Sequence, residues 1–217
     1  MAEFIVDVQL YKDDKKRNIY KEIAVIAVGT DEVGYCLIKP PYPRSKLSPA
    51  ARATVDYVTK KHHGIVWEDG YMNFVDAMRL LKDMTRHAHR LLIKGSGRAR
   101  FISQLTGKIT INFDDLGCPK AKNLPSESSA PDCCYYRHAS KYHPYFEACS
   151  LRRVYKLKKW YLSFLEKLSV TVPVTERPQD EHDAIEKGYD VAPSGIQERL
   201  CGRRTTSKSK FTRSSYR

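Results

Sequence analysis

Phe4-Ile-Val-Asp7-Val-Gln9-Leu10, then Ile19-Tyr-Lys-Glu22-Ile-Ala-Val-Ile-Ala-Val-Gly29, then Val33-Gly-Tyr-Cys-Leu-Ile38: these three runs decide the fold. Each is short, apolar and rich in β-branched residues, which fits a pleated, half-buried surface. The link Lys12–Asn18 is polar and charged, and Gly29-Thr-Asp-Glu32 is a turn signal. Short links of this kind join neighbouring strands of opposite direction, so the runs predict an antiparallel meander. Pro40, Pro41 and Pro43 end it, because proline donates no ladder hydrogen bond.

Helical signals follow. Ser48-Pro49 pairs an N-cap with a first-turn proline and predicts a helix to about Lys61. Asn73 with Asp76 opens a second helix, whose apolar face is Phe74, Ala77, Met78, Leu81 and Met84. Leu91–Ile93 reads as a strand, Gly95-Ser-Gly97 as a turn before a short helix through Phe101 and Leu105, and Ile109–Phe113 as a fifth strand. Leu151–Leu168 reads as a long helix. Its core face is Leu151, Val154, Leu157, Tyr161, Phe164, Leu165 and Leu168, with Arg152, Arg153, Lys156, Lys158 and Lys159 mainly elsewhere. The order predicts an α/β protein with a mixed five-stranded sheet and flanking helices. Residues 1–174 are expected to be the globular domain. Residues 175–217 lack apolar periodicity and are expected to be a flexible, acidic-then-basic tail.

Charge points toward partners. The chain of 217 residues has 38 Lys+Arg against 25 Asp+Glu, a net charge of +13. Residues 203–217 hold six bases and no acid, and residues 176–201 hold seven acids and three bases, which leaves +11 on residues 1–175. The excess therefore belongs to the folded part, where a basic surface favours a polyanion. No apolar run reaches the roughly 18 residues a membrane span needs. The start has no basic region followed by a long apolar one, so an intracellular protein, cytoplasmic or nuclear, is expected, with no membrane partner. No Gly-x-x-x-x-Gly-Lys-Ser/Thr loop and no Gly-x-Ser-x-Gly elbow occurs, which argues against a P-loop nucleotide site and a hydrolase of the elbow type. His62-His63 and His87/His89 come without a third ligand and read as surface residues.

Three of six cysteines fall within seventeen residues, together with two histidines: Cys133-Cys134-Tyr-Tyr-Arg-His138, His143 and Cys149. Thiolates and imidazoles at this density suit tetrahedral zinc. The spacing is not that of a two-pair zinc finger, so a fourth ligand comes from elsewhere or the site keeps a water. A metal would order a segment with little apolar content of its own.

The strand order and its motifs resemble the DnaQ-type (DEDDh) 3′–5′ exonucleases, which have an RNase H-like fold. That family carries Asp-x-Glu on its first strand, where this chain has Asp7-Val8-Gln9. Glu22-Ile23 resembles its second-strand motif, and His63-Gly64-Ile65 its His-Gly-Ile. The second acidic motif should follow Leu91–Ile93, where Lys94-Gly-Ser-Gly-Arg98-Ala-Arg100-Phe101 contains no acid. A final His with an Asp about five residues on is replaced by His143 and Cys149. Two-metal hydrolysis needs several carboxylates around its cations. A vestigial Asp7 alone implies no catalytic Mg²⁺ pair. The departures are similar to those of the Maelstrom domain, a DnaQ-derived family that lost the acids and carries a Glu-Cys-His-Cys zinc set. That resemblance implies a structural zinc on Glu22, Cys134, His138 and Cys149, with Cys133 and His143 as alternates, within a zinc-stapled loop.

The expectation is then a binder of nucleic acid, single-stranded RNA above all, through Lys94, Arg98, Arg100, Arg152, Arg153, Lys156 and Lys159. Tyr135, Tyr136, Tyr142, Tyr145 and Phe146 are candidate stacking residues. One alternative is metal-independent RNA cleavage of Maelstrom type, with His138, His143 or His63 as base. Another is a scaffold of a mobile element, virus or small-RNA pathway that meets protein partners through its tail.

Overall fold

The computed structural model describes residues 2–127, 130–131 and 149–171. Five strands form one sheet: β1 (Ala2–Lys12), β2 (Asn18–Ala27), β3 (Val33–Leu37), β4 (Ala88–Ile93) and β5 (Ile109–Asn112). Their order is β3-β2-β1-β4-β5. The meander is antiparallel, while β4 lies parallel to β1 and β5 parallel to β4. This is the mixed α/β sheet that the strand and turn signals predict. Central β1 is buried along nearly its whole length, which explains its apolar run.

Helices cover both faces. α2 (Phe74–Met84) and α3 (Ser96–Thr106) pack Ala77, Met78, Leu81, Ala99 and Ile102 against Phe4, Val6, Val8, Ile23 and Leu91. α4 (Ser150–Thr171) packs Leu151, Val154, Leu157 and Tyr161 against Ile5, Ala24, Ile26 and Leu92 on the opposite face. Four such side chains contribute on the order of 1.5–3 kcal/mol each by burial. α1 (Pro49–Val58) is capped by Ser48, whose hydroxyl accepts from the Ala51 amide at 3.2 Å. It seats Val55 near Tyr11, Ile19 and Trp67 beyond the end of β1.

Local departures have physical causes. The first helix ends at Val58, and one wider turn, Thr59–His63, follows before Gly64 stops the chain at φ +71°. Gly95-Ser-Gly97 is not a free turn, because α3 begins at Ser96 and only Gly95, at φ +103°, turns the chain. On β2 the register slips between Gln9/Leu10, so that Gln9 faces Glu22 and Leu10 faces Tyr20. Lys21 is the extra residue of this bulge. Leu168 is 49% exposed, so the buried stripe of α4 fades before its end.

Candidate functional site

Alternation along β1 sends Ile5, Asp7 and Gln9 to the face that α4 covers. Their cross-strand partners Ala24 and Glu22 share that face. Three polar side chains, Asp7, Gln9 and Glu22, are therefore buried beneath the start of α4.

Glu22 and Cys149, both fully buried, meet there although 127 positions separate them. The Cys149 Sγ lies 3.5 Å from Glu22 Oε1. The Tyr35 hydroxyl donates to Oε1 at 2.9 Å, and the Ser150 amide to Oε2 at 2.9 Å. Two ligands of a tetrahedral zinc, with Zn–S of about 2.3 Å and Zn–O of about 2.0–2.2 Å, stand roughly 3.5–3.7 Å apart. The pair thus fits half of a zinc set as well as it fits a thiol–carboxylate contact. Cys134 and His138, with Cys133 and His143, lie outside the described residues, as do the tyrosines and Phe146 of that segment. Among the described residues no group of three metal-ligating side chains occurs.

One turn along α4 from Cys149, Arg153 reaches back over the sheet. Its Nη2 stands 3.5 Å from Asp7 Oδ1, and Arg98 Nη1 of α3 stands 4.0 Å from the same oxygen. Asp7 is fully buried, and neither of its oxygens accepts a hydrogen bond among the described residues. The contact is a charge pair without hydrogen-bond geometry. Arg153 was expected mainly off the core face, but it flanks the apolar stripe and a guanidinium stem is long enough to turn inward.

The other basic candidates differ in availability. Lys94 donates to Asp114 Oδ1 at 2.5 Å and to the Cys118 carbonyl at 2.9 Å. Arg100 is exposed, and Arg152 and Lys156 are half-buried. Lys159 is exposed, bonds the Ser126 carbonyl at 3.0 Å and lies 3.6 Å from Glu127. Arg98 and Arg153 therefore converge on the buried Asp7, while Arg100 is exposed elsewhere on α3.

His63, read as a surface residue, is instead 2% exposed. Its Nδ1 accepts from the Ile65 amide at 3.2 Å, and its ring meets Tyr11 edge-on at 4.8 Å. Burial pushes its pKa down to about 4, so the ring is neutral at pH 7. Lys21 carried no sequence signal as a special residue. It is fully buried, and its ammonium donates to the Trp67 carbonyl at 2.8 Å and to the Asp69 carbonyl. Burial pushes its pKa down to about 8. A bulge cannot be read from composition, which is why Lys21 escapes a sequence reading.

No family model and no curated protein matches the chain. Among solved structures, Exonuclease X in complex with 5′ overhanging duplex DNA is similar at 15% identity. The match covers 77% of this chain and 93% of that one, with a TM-score of 0.39. A likeness this distant fixes neither fold nor function, so the architecture stands on the strand order itself.

Proposed function

We propose that the chain is a nucleic-acid-binding protein, built on a catalytically degenerate exonuclease-like fold and directed to single-stranded RNA. The observation that carries the reading is Asp7 buried against Arg98 and Arg153. In the exonuclease-like resemblance, that strand position holds cations for hydrolysis. Here two fixed positive charges face it, which disfavours divalent ions and suits phosphate oxygens. Arg100, Arg152 and Lys156 extend the basic surface, and Lys94 braces the loop after β5 through Asp114 and Cys118.

A structural zinc on Glu22, Cys149, Cys134 and His138 completes the proposal, with Cys133 and His143 as alternates. The Glu22–Cys149 spacing supports it. The metal would fix the start of α4, and through it Arg153, rather than act on a substrate.

The test is a labelled single-stranded RNA incubated with the full chain, once with Mg²⁺ and once with EDTA. Retention of a full-length strand in a shifted complex under both conditions is expected. Shortening that needs Mg²⁺ would overturn the degenerate reading. Cleavage that persists in EDTA would favour the metal-independent nuclease of the Maelstrom resemblance.

A further inference from the structure

A second feature lies apart from Asp7 and its two arginines. A cleft of about 400 Å³ opens where β2 begins, beside the first turn of α2. Tyr20, Tyr42 and Phe74 supply its aromatic wall, Ile38 its floor, and Arg17 and Lys39 line it as cations. A volume of this order falls in the range of small-ligand sites. Phe74 was expected to face the core of α2, yet it is 42% exposed. It stacks on Tyr20 with ring centroids 6.0 Å apart, and Tyr20 stacks in turn on Phe101 at 4.2 Å. The wall is thus backed by packed rings. Tyr42 is also fixed, because its hydroxyl donates to Asp13 at 3.0 Å.

The charges select the occupant. No acidic side chain lines the cleft among the described residues. Asp13, behind it, is buried and already paired with Arg17 at 2.7 Å. Lys39 is exposed, and the adjoining β1–β2 hairpin carries exposed Lys12, Lys15 and Lys16 against one exposed acid, Asp14. An apolar peptide would gain nothing from such a rim. A planar, uncharged ring joined to phosphates would gain from both wall and rim.

We propose that this cleft is a nucleobase-binding site, in which one unpaired base of a single strand stacks on Phe74 while Lys39 meets a flanking phosphate. The inference rests on the nucleic-acid reading and adds to it a site for the base itself.

The experiment compares a fluorescein-labelled single-stranded RNA with an abasic strand of the same length, by anisotropy on the full chain. The intact strand is expected to bind about tenfold tighter, the value of one stacked base. Phe74→Ala should remove that difference without weakening the abasic strand, and Phe74→Trp should retain it. Phe74 is partly exposed, so its truncation leaves the core intact, and an unchanged melting temperature would verify this. Equal binding of the two strands by the natural chain, or an unchanged preference in Phe74→Ala, would overturn the base site while leaving phosphate binding in place. Failure of both strands to bind would overturn the nucleic-acid reading and this inference together.

Discussion

Arg153 and Asp7 meet as a charge pair, at 3.5 Å and with no hydrogen bond to either carboxylate oxygen among the described residues. Removing Arg153 leaves the buried Asp7 carboxylate with Arg98 alone, at 4.0 Å, which costs more than the pair itself contributes. Arg153→Met should destabilise the chain by about 2–3 kcal/mol. Adding Asp7→Asn should recover much of that, because neither partner then carries an unanswered charge. Urea unfolding of the two variants measures both effects, and additive losses would mean that the charges do not interact. His63 sets a second residue-scale expectation. Its folded pKa of about 4 lies below the ordinary 6.5, so between these values the unfolded chain binds a proton that the folded chain does not. The stability it lends is fully present above about pH 6.5 and is lost as the pH falls toward 4, by roughly 3 kcal/mol at most. His63→Gln should flatten that stretch of a plot of urea midpoint against pH.

At the scale of elements, the first turns of α4 join two pairs that the sequence keeps far apart. Cys149 meets Glu22 from β2, and Arg153, four residues on, meets Asp7 from β1. A change at the first pair should therefore be felt at the second. Cys149→Ser is expected to lose bound zinc, measured as metal per chain by mass spectrometry, and to weaken RNA binding although Cys149 is fully buried. Loss of metal with unchanged RNA affinity would separate the two pairs. The strands and helices themselves are legible in the sequence, because β-branched runs, the Ser48 and Asn73 caps and the spacing of Leu151, Val154 and Leu157 are all local signals. The bulge at Lys21, the burial of His63 and the inward turn of Arg153 are not local. Each depends on which element packs over it. Glu22 and Cys149 could be joined from the sequence only through a family resemblance, since nothing in their spacing brings two such distant positions together. Phe74 illustrates the same limit. Its place on the apolar face is visible from the helical period, but its partial exposure follows from the cleft beside β2.

At the scale of the whole molecule, the net charge of +13 favours a polyanionic partner, and +11 of it lies on residues 1–175. A folded domain with that excess attracts many anions weakly. The account requires something more specific: particular guanidinium groups that displace counterions from particular phosphates. The dependence of affinity on salt counts those contacts. The decisive measurement is the slope of log K against log salt concentration for a single-stranded RNA, for the natural chain and for Arg98→Glu. The account predicts a steep slope that becomes shallower by about one contact in the variant, with affinity falling alike for different sequences. A flat slope for the natural chain, or the same slope and affinity in Arg98→Glu, would contradict it.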